Sequence, residues 1–154
     1  MNNSQDSAHE SLSTQADHVL EEARMMLPGA QALFGFQLIA VFNQRFEALS
    51  DLQQHIHLGA LFAVAVAIAL IMTPAIYHRQ TEPQAVSRAF LALATRCLKV
   101  SAYPLLVGIA LEFYLVSTLV NARALVSYAV TAVLVAVFAA LWFALPRWRK
   151  HARR

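Results

Sequence analysis

Cysteine, glycine and charge are all scarce in this chain, and each shortage excludes something. One cysteine, Cys97, cannot close an intrachain disulfide, and without a CxxC string or a Cys/His cluster no structural metal site is expected. Four glycines, none clustered, leave no loop that could cradle a phosphate. No nucleophile–base pair and no paired carboxylates stand out, so no catalytic residue, no cofactor and no enzyme activity is expected. Charged residues make up 14% of the chain, against about 25% in an ordinary soluble domain. The acidic N-terminus lacks the basic stretch of a cleaved secretory signal, so the first apolar segment is expected to be retained.

What is abundant is apolar sequence: 58% of residues are hydrophobic, gathered in long runs. That composition reads as an integral membrane protein, all-α, a four-transmembrane-helix bundle with spans at about 25–42, 55–77, 100–120 and 125–145. The membrane domain, 25–145, follows an acidic amphipathic segment, 1–24, and precedes a polybasic tail, 146–154. In the first segment Ser7-Ala8-His9-Glu10 has capping-box spacing, and Leu12, Ala16, Val19, Leu20 and Ala23 recur on one helical face. Its five acids face a single base, so it is expected to rest against the basic elements on its side of the membrane.

The first span, entered at Pro28-Gly29, is the most polar. Gln31 and Gln37 are both expected inside the bundle, because an unpaired amide in hydrocarbon costs several kcal/mol. Ser50 with Gln53 signals the start of the second helix, whose Gly59, Ala63 and Ala67 form a ladder of small side chains. His55 and His57 point about 200° apart on a helix and read as interfacial polar residues rather than ligands. Thr81-Glu82-Pro83 marks a third helix start. Continuous helix from there to Val120 would measure about 58 Å, too long for a bilayer core of about 30 Å. A basic interfacial segment is therefore expected before the third span, with Arg88, Arg96 and Lys99 in lipid headgroups, opposite Phe90, Leu93 and Cys97, and a bend near Pro104. On the last span Ala132, Ala136, Ala140 and Ala144 make a second small-residue seam. Arg147, Arg149 and Lys150 then open a tail suited to anionic headgroups and not to nucleic acid.

Orientation follows from counting. Both termini and the second loop hold ten of the twelve Lys and Arg residues, leaving Arg45 and Arg123 opposite, which places both termini in the cytoplasm.

One carboxylate, Glu112, sits well inside the third span, the default place to look for function. Ser101, Pro104, Gly108 and Glu112 share a stripe. Counted from the outer ends, Glu112 lies about 12 Å deep, Thr131 about 9 Å and Gln37 about 7 Å, making the latter two its expected partners. No base is placed at that level, so the acid is expected to stay protonated.

Gly29-Ala30-Gln31-Ala32-Leu33-Phe34-Gly35-Phe36, then Phe42-Asn43-Gln44-Arg45-Phe46 and Pro74-Ala75-Ile76-Tyr77-His78-Arg79, resemble a family of small four-helix bacterial membrane proteins classed as a domain of unknown function. The resemblance covers roughly Arg24 to Arg79, with Gln31, Arg45, His78 and Arg79 at matching positions. It implies a bacterial inner (cytoplasmic) membrane and supplies no activity. The residues favour a non-enzymatic membrane module that forms a homo-oligomer or docks to another membrane protein. The alternative is a small proton- or cation-linked transporter or channel using Glu112.

Overall fold

The computed structural model describes the backbone of residues 2–81, 86–120 and 123–152, and the side chains of 12–81, 86–120 and 123–149. No strand occurs among them. The helices are α1 (Asn2–Ala40), a single turn α2 (Gln44–Glu47), α3 (Asp51–Thr81), α4 (Arg88–Val120), α5 (Ala124–Ala139), a π-helical turn (Ala140–Ala144) and α6 (Leu145–Ala152). Three stretches are long and apolar enough to cross a membrane: Asp51–Thr81, Arg88–Val120 and Ala124–Arg149. The first is α3, the second α4, and the third carries α5 through the π turn into α6. Two glutamines, a proline and two glycines keep the latter half of α1 less apolar than these.

The core is a three-helix coil with a seven-residue repeat. On α1 the buried positions are Ala16, Ala23, Ala30 and Gln37, each seven after the last. On α3 they are His57, Ala60, Val64, Ala67, Ile71 and Pro74, alternating three and four apart. On α4, Ala94, Ser101, Gly108 and Leu115 repeat every seven, with Phe90 one turn before them and Cys97 and Leu98 between. Such spacing keeps one seam facing the partners along the whole helix, as in a left-handed coil. Small residues at most of these positions let the backbones approach. The closest approach is at Gly108, where an added Cβ would stand 2.5 Å from Val64 Cγ2 and 3.1 Å from the Ala60 carbonyl.

This repeat explains several departures from the expected layout. The segment 1–24 is not separate from the first span: α1 runs unbroken from Asn2, so Ser7 and Glu10 lie within it and not at its start. Pro28 interrupts the ladder at a cost of about 3 kcal/mol, but buried Ala23 and Ala30 on either side hold the helix to α3 and α4. The face carrying Leu12, Ala16, Val19, Leu20 and Ala23 packs inward, with Ala16, Val19 and Leu20 beside Phe90, Ala94 and Tyr77. That apolar layer holds the acidic end of α1 to the basic end of α4.

The basic segment is likewise the first part of α4 and not a separate surface element. Burying all of Phe90 and Ala94 keeps it in the coil, and α4 continues as one helix through Pro104. Its basic face is placed as expected: Arg88, Arg96 and Lys99 are exposed, Phe90 and Cys97 buried. The helix starts later than Thr81. Ser87 caps it through its hydroxyl, which accepts from the Phe90 N–H at 3.0 Å, whereas the Thr81 hydroxyl donates to the Tyr77 carbonyl at 2.8 Å. Residues 82–85 lie outside the described ones. The other capping signal holds: the Ser50 N–H donates to Gln53 Oε1 at 3.0 Å and α3 begins at the next residue.

Outside this coil, α5 leans mainly on α4. Tyr114 meets Tyr128 at 5.0 Å between ring centres and Tyr103 stacks on Phe143 at 4.6 Å, which fixes an antiparallel register. Ser127 is the one buried residue among Ala124–Ala139. The alanine seam is not used between helices: Ala132, Ala136, Ala140 and Ala144 all face outward. The π turn follows from Pro146, which has no N–H for the Trp142 carbonyl. Just before it, the Leu145 N–H reaches back five residues to the Ala140 carbonyl.

Candidate functional site

At one level of the coil the small apolar residues give way to a polar layer, one residue from each helix. Gln37 is the fourth buried position of the α1 repeat, in that helix's last turn. His57 opens the α3 repeat, about two turns after its cap, and Glu112 lies on α4 one turn beyond Gly108. Gln37 Nε2 donates to Glu112 Oε2 at 3.3 Å. His57 Nδ1 lies 3.2 Å from the same oxygen, and His57 Nε2 lies 3.0 Å from the Gln37 main-chain carbonyl.

That geometry counts the protons. A carbonyl oxygen only accepts, so Nε2 carries hydrogen and donates to it. Nδ1 then faces Oε2, and two bare lone pairs at 3.2 Å would repel. One proton therefore lies between them, held either as a carboxyl donating to Nδ1 or as an imidazolium donating to a carboxylate. Either form leaves the pair without net charge, which suits its burial: the side chains are 3% and 20% exposed.

Gln37 is thus a partner of Glu112, as depth indicated. His57 is not the interfacial residue expected but the base at the level of the acid, because α3 is already in the coil at that point. The 200° argument still separated the two histidines, since His55 is exposed with Nδ1 at 2.6 Å from the Asp51 carbonyl. Thr131 does not join the layer. Its hydroxyl, like that of Ser127, is buried on α5 without a hydrogen-bond partner among the described residues. Gln31 faces outward. Six residues separate it from Gln37, about 240° around a helix, so both amides cannot enter one seam.

A cavity of about 220 Å³ leads from Glu112 and His57 to the loop after α1, with Asn43 and Arg45 at its mouth and Phe46, Leu49, Leu115 and Val116 along its walls. Phe46 also meets the His57 ring edge-on at 5.3 Å. Gln37 Oε1, buried nearby, has no donor among the described residues. The remaining motif positions are scattered. His78 packs its ring 5.0 Å from Phe90 at the other end of the coil, with Nδ1 buried and without a partner among the described residues, and Arg79 is exposed. Arg147 and Arg149 are exposed on α6; the side chain of Lys150 lies outside the described residues.

A three-helix coil crossed by one acid–histidine–glutamine layer, with three stretches able to cross a membrane, defines an all-helical protein of membrane type. The chain belongs to the family of unknown function DUF6328, which it matches over residues 5–146, in keeping with the resemblance read from Arg24 to Arg79. Neither the curated proteins nor the solved structures searched contain a match.

Proposed function

We propose that the chain is a four-span, non-enzymatic module of a bacterial inner membrane that self-associates, with both termini in the cytoplasm and Gln37, His57 and Glu112 locking three of its helices in register. The latter half of α1 serves as the fourth span, its Gln37 hidden in the coil beside the apolar lengths of α3 and α4. Ten of twelve bases on one side support the orientation. The observation that carries self-association is the outward alanine seam of α5. Alanine gains little against lipid tails, but four in a row at four-residue spacing allow another backbone to come close. Outward Gln31 adds a second reason, since an amide inside the bilayer needs a partner.

Cysteines placed singly along 130–144, in a Cys97→Ser background, test this in native membranes. Oxidation should give disulfide dimers at Ala132, Ala136 and Ala140 and not at Leu134. Crosslinks only to a different protein would replace self-association by docking, and no crosslink at any position would sink both.

A second reading rests on the cavity that reaches Glu112 and the donorless Gln37 Oε1 behind it. Here the pair passes its proton, or yields it to a cation, in a small transporter. Reconstituted vesicles with a pH gradient would show flux that Glu112→Gln abolishes while leaving the helices intact.

A further inference from the structure

A second, larger cavity, about 610 Å³, lies along the outer face of α4. Its upper wall carries Arg88, Arg96 and Lys99, with Thr95 among them; its lower end is Val100 and Tyr103. No carboxylate lines it among the described residues. Arg96 and Lys99, one turn apart with no acid beside them, call for an anion from outside.

The position of the cavity says what kind. Lys99 stands where the basic and apolar parts of α4 meet, and below it Val100, Tyr103 and Val107 are all 40–50% exposed on the apolar stretch. Tyr103 stacks on Phe143 at 4.6 Å, which gives the cavity a flat aromatic floor and brings the chain after the π turn alongside. Followed in antiparallel register from that contact, Arg147 comes level with Lys99. The site is therefore basic above and apolar below. A soluble phosphate would use only its upper part, whereas a phospholipid matches both.

We infer that this cavity binds an acidic phospholipid of the cytoplasmic leaflet, its phosphate between Arg96 and Lys99 with Arg147 beside them, and an acyl chain along Val100 and Tyr103. The inference rests on the membrane reading above. Headgroups occupy about 5–8 Å on each side of the hydrocarbon. Arg96 lies about 5 Å above Lys99 along the helix, within that layer, but Arg88 lies about 16 Å above it and beyond reach. The site thus separates two bases that hold the lipid from one that does not, which a diffuse attraction of all bases to an anionic surface would not do.

The full chain, purified in mild detergent, would be placed in nanodiscs of phosphatidylcholine with one-tenth phosphatidylglycerol, and the lipid retained after delipidation measured by native mass spectrometry. Phosphatidylglycerol should be enriched over its share, and the double change Arg96→Gln with Lys99→Gln should lower that enrichment at least fivefold, while Arg88→Gln leaves it unchanged. Equal losses from Arg88→Gln and the double variant would overturn the site in favour of diffuse charge. Displacement of the lipid by millimolar inorganic phosphate would overturn it in favour of a free anion. Should the double variant not fold, the wild-type chain still decides: spin-labelled phosphatidylglycerol must be immobilised more than spin-labelled phosphatidylcholine, and equal immobilisation refutes the proposal. Release of the chain from native membranes by alkaline carbonate would count against the membrane reading instead.

Discussion

Helix α4 has two neighbours of similar apolar character and treats them differently. Against α3 it presents Ala94, Ser101 and Gly108, and α3 answers with Ala60, Val64 and Ala67, so that small meets small along a shared seven-residue repeat. Against α5 it presents tyrosines, and α5 answers with tyrosine and phenylalanine while turning its alanines away. Apolar composition decides that both neighbours can enter a membrane. The placement of small residues decides which one the backbone can approach closely, and where a polar layer can be enclosed.

The largest effect should come from the polar layer, the one place where the α3–α4 seam depends on a specific pair. Replacing His57 by Leu leaves Glu112 and Gln37 without their shared base, and breaking a buried pair on one side costs about 3–5 kcal/mol. Thermal unfolding in detergent should show the loss. An unchanged midpoint would mean that the layer contributes nothing to holding the coil. Next is Gly108→Val. Its Cβ would stand 2.5 Å from a Val64 methyl, which can swing, and 3.1 Å from the Ala60 carbonyl, which cannot, so overpacking of about 1–3 kcal/mol is expected. The same change at Gly35, where nothing lies within 4 Å of an added Cβ, should do far less. Similar losses at both glycines would refute the tight crossing.

Much of this was legible in the sequence, and the gaps have physical causes. Apolar run length located α3, α4 and α5, and depth alone paired Gln37 with Glu112. Ala16 and Ala23 were recognised on one face. Extending that line by seven and fourteen residues to Ala30 and Gln37 would have shown one continuous helix, and would have sorted Gln37 from Gln31. The sequence boundary falls at 24–25, where the acidic stretch gives way to the first apolar run entered at Pro28-Gly29, and tertiary packing carries one helix through it. His57 was missed because its own neighbourhood, with Asp51, Gln53, Gln54 and His55, reads as interface, and only the partner helices reveal that it is enclosed. Whether an alanine seam faces in or out is likewise not a property of its own helix. The four that run from α5 into the π turn share the spacing of a packing seam, but the more buried side of the helix is the other one, with Ser127, Thr131 and Leu134.

A smaller effect separates the two readings of the acid. Glu112→Gln puts an amide NH2 where Oε2 receives both partners; it donates to His57 Nδ1 and, once the Gln37 amide turns over, to Gln37 Oε1, so stability should change by about 1 kcal/mol or less, near the net value of one hydrogen bond. In a structural role nothing else changes. In a transport role flux disappears at unaltered stability, and that combination would displace the structural reading.

The smallest effect on the fold, and the one that sharpens the comparison most, is expected at Ala136→Leu. Inside the α3–α4 seam an equivalent enlargement, Ala60→Leu, would drive a side chain into a position with no exposure at all. On α5 the added atoms enter open space, so the unfolding midpoint of the isolated chain should stay within the error of the measurement. What should change is association: the wider side chain holds two α5 backbones apart, and the dimer fraction in a detergent-dilution series should fall well below that of the parent. Val130→Phe, an enlargement at an exposed position about 120° around the helix from Ala136, serves as the control. If Ala136→Leu lowers the midpoint as much as Ala60→Leu, the alanines are packed within the chain after all, and the distinction between the two neighbours of α4 collapses.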